Sequence, residues 1–119
     1  MLDHIMIKVK DWKRAKAYYE TTLKHLDYEL FWDSDNAGGF QGSDAPHGRI
    51  YIRQDENPGR IHFAIAAPSA DAVKAYYAAA LANGGTDNGA PGHRAHYGPE
   101  GVGTFVIDLD NNNIEVVSH

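Results

Sequence analysis

Cysteine is absent from the chain, which excludes disulfide bonds and thiol catalysis. No apolar run reaches about 18 residues, so a membrane-spanning helix is not expected. Basic residues are outnumbered: the formal net charge is −5, and the basic footprint of a nucleic-acid-binding protein is missing. An ordered pattern begins at the N-terminus and leaves no room for a signal peptide, so we expect a cytoplasmic protein. From the charge and the lack of a long apolar run, we expect neither nucleic-acid nor membrane partners.

The chain contains an internal repeat. Lys16-Ala17-Tyr18-Tyr19 returns as Lys74-Ala75-Tyr76-Tyr77, 58 residues later, and His4 returns at the same offset as His62. Two copies fill the 119 residues and are too few for a solenoid. The sequence therefore predicts a single domain, residues 1–119, made of two modules.

The first module is expected at about residues 1–54 and the second at about 60–119, joined by a polar, turn-rich connector. Residues 2–9 and 60–67 alternate apolar and polar side chains, which predicts a first strand in each module. Asp11 and Ser69 are predicted to cap the helix that follows each strand. The further strands are expected at residues 28–32, 38–40, 49–53, 104–107 and 114–117, and segment 86–103 should hold one short strand and a mobile loop. Each module then reads βαβββ.

Strand parity brings three metal-ligand side chains to corresponding faces. In the first strand of each module the large apolar residues alternate with His4 or His62, so each histidine faces away from the helix of its module. Glu115 alternates with Ile114 and Val116 in the same way. If these faces meet, two imidazoles and one carboxylate line one cavity. Such a set suits a divalent transition metal with open positions for substrate.

The end of the chain resembles a known family. Residues 105–115, FVIDLDNNNIE, are similar to the strand–turn–strand ending of the vicinal oxygen chelate superfamily, which includes glyoxalases, bleomycin-resistance proteins and extradiol dioxygenases. The Asp3-His4-Ile5 start also fits, as does segment 87–97, which looks like a loop of small glyoxalase-like members.

The resemblance implies an α+β fold in which two βαβββ modules pair into a curved mixed sheet around a cavity. It also implies a small-molecule substrate or ligand and a homodimer, with the modules pairing within one chain or between two. His4, His62 and Glu115 fall on three metal-ligand positions of the family. The expected cofactor is a divalent transition metal: Fe, Mn, Ni or Zn.

Tyr51 is the main departure from the family pattern. By register it stands where glyoxalase-type lyases carry a second carboxylate, unless a bulge brings Gln54 or Glu56 there instead. A phenol, with an ordinary pKa of about 10, is a poor base, which argues against a true glyoxalase reaction. Together with Glu115, Tyr51 is a candidate catalytic residue that would hydrogen-bond a substrate oxygen; otherwise it fills the cavity.

Four side chains besides Tyr51 are candidates for substrate binding. Arg53 shares the face of Tyr51 and could pair with an anionic substrate, or it could be a solvated strand end. Arg94, His96 and Tyr97 lie in a Gly- and Pro-rich loop that could cover the cavity, since functional residues favour loops. The alternative for these three is an ordinary surface loop.

Three functional hypotheses follow. The first is a metal-dependent enzyme of the glyoxalase or dioxygenase type, in which the metal chelates two adjacent oxygens of a small substrate. The second is a metal-free protein that binds an antibiotic or metabolite, as bleomycin-resistance proteins do. The third is a scaffold without a ligand, which no particular residue favours.

Overall fold

The computed structural model describes all 119 residues and separates them into two compact units, Met1–Gly59 and Arg60–His119. Each unit contains one α-helix and one mixed sheet, which confirms the α+β class and the two modules expected from the sequence. Neither helix is long and apolar enough to cross a membrane.

The first unit runs strand, helix, three strands. Its elements are β1 (His4–Val9), α1 (Trp12–Leu23), β2 (Glu29–Asp33), β3 (Ala37–Gln41) and β4 (Arg49–Gln54). A short 3-10 helix, Lys24–Leu26, extends α1. The sheet order is β1-β4-β3-β2, with β1 parallel to β4 and the other pairs antiparallel.

The second unit repeats this topology. Its elements are β5 (His62–Ala66), α2 (Ala70–Ala82), β6 (Thr86–Asp87), β7 (Gly92–His93), β8 (Val102–Ile107) and β9 (Asn113–Ser118), with a 3-10 helix at Ala95–Tyr97. The order is β5-β9-β8, with β5 parallel to β9, and both β6 and β7 pair antiparallel with β8. The repeat in the sequence is therefore a repeat of sheet order.

Segment 86–103 differs from its expected form of one short strand and a loop. It contains two short strands and a 3-10 helix, because the residues between β6 and β7 continue the ladder. The amide of Asn88 donates to the carbonyl of Phe105 at 3.0 Å, and the amide of Phe105 donates to the carbonyl of Gly89 at 3.0 Å. β6 and β7 are thus two parts of one interrupted edge strand.

Both helices begin at the predicted caps. The Asp11 carboxylate accepts from the Arg14 amide at 3.3 Å, and the Ser69 hydroxyl accepts from the Ala72 amide at 3.1 Å. Each bond satisfies an amide that has no partner within the helix. Helix α2 ends before Gly84, whose φ of +101° is a conformation that favours glycine.

The core of each unit lies between its helix and one face of its sheet. In the first unit Trp12 packs so closely on β3 that a Cβ at Gly38 would overlap the indole ring. Gly38, Ile52 and Ile7 share one cross-strand row, so this is the covered face. Burial of a large apolar side chain contributes about 1.5–3 kcal/mol to the stability of the fold. Most of the buried apolar side chains of the strands lie on the covered faces.

Candidate functional site

The candidate ligands occupy the face of each sheet that lies away from its helix, which we call the open face. In β1, Ile7 and Val9 are buried while His4 is exposed. In β5, Ile65 is buried while His62 is exposed. The parity expected from the sequence therefore holds in both units.

His62 and Glu115 lie side by side on the open face of the second sheet. Glu115 pairs in register with Ala64, two residues beyond His62, and its carboxylate Oε2 is 3.2 Å from His62 Nε2. The Glu115 side chain is only 10% exposed and that of His62 is 57% exposed. Two ligand atoms bound to one metal at about 2.0–2.2 Å would be separated by about 3 Å, so this donor pair fits a shared divalent metal.

His4 has a carboxylate partner on its other ring nitrogen. Its Nδ1 lies 2.6 Å from Asp3 Oδ1, and this hydrogen bond is the main cause that lowers the pKa of Asp3 below its usual range. With Nδ1 hydrogen-bonded, Nε2 is the nitrogen left to act as a ligand. A carboxylate behind a histidine is the usual outer-shell support of a metal-binding imidazole.

No group of three or more His, Cys, Asp or Glu side chains forms a metal-binding cluster in the structure. The second unit brings together two members of the expected triad, His62 and Glu115, and His4 belongs to the first unit. His93 and His96 form no such cluster either.

Tyr51 occupies the position in the first sheet that Glu115 occupies in the second. It pairs with Met6, two residues beyond His4, as Glu115 pairs with Ala64 beyond His62. Strand β4 pairs without a bulge on both sides, so Gln54 is not shifted into this position. The Gln54 side chain instead accepts a hydrogen bond from the Trp12 amide at 2.9 Å.

Two of the three loop candidates lie over the open face of the second sheet. A Cβ built on Gly103 would lie 3.0 Å from the Tyr97 ring and 3.5 Å from Arg94 Cγ. Gly103 and Phe105 alternate on β8 with the covered-face residues, and Phe105 pairs directly with Glu115. The Arg94 guanidinium lies 5.9 Å from the centre of the Phe105 ring.

The remaining candidates, His96 and Arg53, are exposed side chains. His96 is exposed and packs its ring against that of Tyr97 at 4.0 Å. Arg53 pairs in register with Lys8, and its side chain, 50% exposed, lies 3.4 Å from Asp55 Oδ2.

Sequence reasoning missed four open-face residues: Phe31, Trp32, Arg49 and Phe105. Phe105 lies beside the His62–Glu115 pair, with its ring centre 6.3 Å from that of His62. Phe31 and Trp32 approach Tyr51 because β2 shifts register between Leu30 and Trp32. A bulge of this kind has no signature in the sequence, but the parity of Arg49 and Phe105 with Tyr51 and Glu115 could have revealed them.

The chain is a small α+β protein with two βαβββ modules of equal topology and a histidine on the open face of each. Residues 1–116 match the model of the Glyoxalase/Bleomycin resistance protein/Dioxygenase superfamily, and the chain belongs to that family. The resemblance inferred from the sequence is thereby confirmed. No protein of curated function matches the chain.

Several solved structures have the same fold. A glyoxalase/bleomycin resistance protein from Albidiferax ferrireducens T118 is 25% identical, with a TM-score of 0.85 over 100% of this chain and 98% of the other. A putative glyoxalase from Bacillus halodurans is 18% identical, with a TM-score of 0.76 over 100% and 96%. A glyoxalase-related enzyme from Fulvimarina pelagi is 13% identical, with a TM-score of 0.78 over 100% and 88%.

Proposed function

We propose that the protein is a metal-dependent enzyme of the vicinal oxygen chelate type, with His4, His62 and Glu115 as the metal ligands. The observation that carries the proposal is the His62–Glu115 pair, whose donor atoms are 3.2 Å apart on an open face. Family membership supports the reaction class. A divalent Fe, Mn, Ni or Zn ion held by these residues would supply Lewis-acid polarisation of two adjacent substrate oxygens.

The protein side chains divide the remaining work. Glu115, whose carboxylate is buried on the open face of the second sheet, would hold or accept a proton. Tyr51 offers a hydroxyl that can donate a hydrogen bond to a substrate oxygen. Arg94 and Tyr97 would cover one side of the bound substrate, and His96 packs behind Tyr97. Arg53 would attract an anionic substrate group.

A second function is favoured by Tyr51 itself. The first sheet carries the phenol of Tyr51 where the second sheet carries Glu115, so the two sheets together offer only one carboxylate at these equivalent positions. The glyoxalase reaction needs a second carboxylate as its base and is therefore disfavoured. The alternative is a metal-free protein that binds an antibiotic or metabolite on the same faces, with His4 and Glu115 as hydrogen-bonding wall residues.

Metal content distinguishes the two functions. Untagged protein is stripped with EDTA, reloaded separately with Fe(II), Mn(II), Ni(II) and Zn(II), dialysed, and measured by elemental analysis. About one metal per chain is expected in the wild type, and its loss in His62→Ala and in Glu115→Gln. His93→Ala, which removes an exposed loop histidine, is the matched control and should keep the metal. An absence of bound metal, or equal binding in His62→Ala, contradicts the enzyme proposal.

The proposal includes a homodimer, and a mixing experiment tests whether His4 and His62 of one site come from different chains. His4→Ala and His62→Ala chains are unfolded together and refolded as a mixture. With pairing between chains, each mixed dimer regains one intact site, so about a quarter of the wild-type metal returns per chain. With pairing within a chain, no site is restored. Sedimentation velocity on the same samples reports whether dimers form.

A further inference from the structure

Three aromatic rings gather on the open face of the first sheet, and the proposed metal chemistry does not use two of them. The ring centres of Phe31 and Trp32 lie 6.0 and 6.5 Å from that of Tyr51, both edge-on. The register shift in β2 explains this arrangement, since two residues of a bulged strand oppose one residue of the partner strand. That partner is Gly39, which itself pairs with Tyr51.

Gly39 allows the aromatic rings of this row to approach one another closely. A Cβ at this position would lie 2.8 Å from Phe31 Cε1, closer than such atoms approach, and 3.1 Å from Tyr51 Cδ1, a tight contact. The absence of a side chain therefore lets the rings of Phe31 and Tyr51 converge over Gly39. Trp32 remains 47% exposed at one end of the row and Met6 47% exposed at the other. Exposed apolar side chains gathered on one face are a feature of contact sites.

A cation whose side-chain hydrogen bonds go to a neutral group lies beside the row. Arg49 precedes Tyr51 by two residues and points to the same face, with its guanidinium 4.3 Å from the centre of the Phe31 ring. Its Nε and Nη2 both donate to the neutral Gln41 side chain, at 3.2 and 3.0 Å. None of the ion pairs of the chain includes Arg49, whereas Arg53 is paired with Asp55.

We infer that the open face of the first sheet binds a flat aromatic compound that carries an anionic group. The ring of the ligand lies against Trp32 and Tyr51, and Arg49 holds the anionic group. The guanidinium has five N–H donors in a fixed plane, and only two of them are used on Gln41. A carboxylate is its natural partner, and the fixed planar fork makes this recognition directional.

This inference rests on the proposed function for its choice of face and adds the class of ligand. A neutral aromatic compound would leave the remaining N–H donors of Arg49 unused, and a saturated acid would leave Trp32 exposed to water. Aromatic pairs gain attraction beyond their buried area, and the edge-on rings around Tyr51 offer both faces and edges to a flat ligand. Ring and charge together are therefore the expected requirement.

The test compares three compounds by isothermal titration calorimetry in excess EDTA, so that metal takes no part. 2-Naphthoate has both features, 2-naphthylmethanol has the ring alone, and cyclohexanecarboxylate has the charge alone. Only 2-naphthoate should bind measurably. Trp32→Ala and Arg49→Gln should each weaken its binding about tenfold or more, as is usual for central tryptophan and arginine contacts. Arg14→Gln, on the exposed side of α1, is the charge-matched control and should not change it.

Each other outcome overturns the inference. Equal binding of the neutral and anionic naphthyl compounds removes the role of Arg49. Binding that survives Trp32→Ala and Arg49→Gln places the ligand elsewhere. Failure of 2-naphthoate to bind, together with a change of oligomeric state in Trp32→Ala, would assign the rings to a contact with a second copy of the chain. Metal content in His62→Ala is measured separately, so failure of this inference leaves the metal proposal standing, and the reverse also holds.

Discussion

His62 and Glu115 stand on neighbouring parallel strands, and their donor atoms are 3.2 Å apart although one side chain is buried and the other largely exposed. Glu115 pairs in register with Ala64, which is two residues beyond His62. The contact therefore depends on the pairing of β5 with β9. The carboxylate of Glu115 has been removed from water, and the imidazole of His62 is its hydrogen-bonding partner. This makes the pair a stability element as well as a candidate ligand set.

Removal of His62 should therefore destabilise the metal-free protein more than removal of His4. In His62→Ala the buried carboxylate of Glu115 loses its partner, which should lower the free energy of unfolding by roughly 1 kcal/mol after allowance for the exposure of His62. His4→Ala releases Asp3, whose side chain is 72% exposed, and should lower the free energy of unfolding by less. Urea unfolding of both variants in EDTA measures the difference. Equal losses would show that the His62–Glu115 contact contributes nothing without metal.

Gly38 and Gly39 are adjacent in β3 but lie on opposite faces of the sheet. Alanine substitution should therefore lower the stability of the fold by different amounts at the two positions. A methyl group at Gly38 meets the Trp12 ring, which is 1% exposed and has no room to move, so Gly38→Ala should destabilise the fold by about 1–3 kcal/mol. A methyl group at Gly39 meets the half-buried Phe31 on the open face, so Gly39→Ala should cost less. Thermal unfolding ranks the two variants. The reverse ranking would contradict the assignment of Gly38 to the covered face.

Much of this arrangement follows from local rules that the sequence displays. The capping residues Asp11 and Ser69, the face of His4 and the face of His62 all depend on spacing within one element, and each was predicted correctly. The repeat of sheet order also followed from the repeated Lys-Ala-Tyr-Tyr segment. Periodicity and capping are near-neighbour effects, so a single sequence contains them.

The features that escaped prediction depend on pairing between distant segments. The bulge that turns Phe31 toward Tyr51 exists only because β2 pairs with β3 out of step. The two short strands of segment 86–103 exist only because β8 offers them an edge. The bond between the Asn112 side chain and the Ile61 amide joins residues 51 positions apart. None of these leaves a periodic trace in the chain.

That last bond leads to a prediction for the 108–113 turn. Asn112 is 1% exposed; its Oδ1 accepts from the Ile61 amide at 2.9 Å and its Nδ2 donates to Asp108 Oδ2 at 2.9 Å. Asn112→Ala breaks both bonds beside the start of β5 and should cost about 2 kcal/mol or more in urea unfolding. In the metal assay it should also weaken binding, because the Ile61 bond positions His62.

Asn111 provides the matched control in the same turn. Its φ is +68°, in the left-handed region that glycine adopts without strain. Asn111→Gly should leave stability within about 0.5 kcal/mol of the wild type and leave metal binding unchanged. A loss in Asn111→Gly as large as in Asn112→Ala would mean that the turn as a whole, and not the Ile61 bond, is responsible.

Asp33 should give the protein part of its acid sensitivity. Its hydrogen bond with Lys16, followed by that with the Trp12 indole, holds the pKa of Asp33 below its usual range. A carboxyl group with a depressed folded-state pKa stabilises the fold above its unfolded pKa, and the contribution is lost as pH falls through the folded value. Unfolding free energy measured from pH 5 down to pH 2 should therefore fall less steeply in Asp33→Asn than in the wild type. Asp35→Asn, an exposed carboxylate two residues away, is the control and should keep the wild-type slope. Identical slopes in the wild type and Asp33→Asn would show that these bonds do not persist in solution.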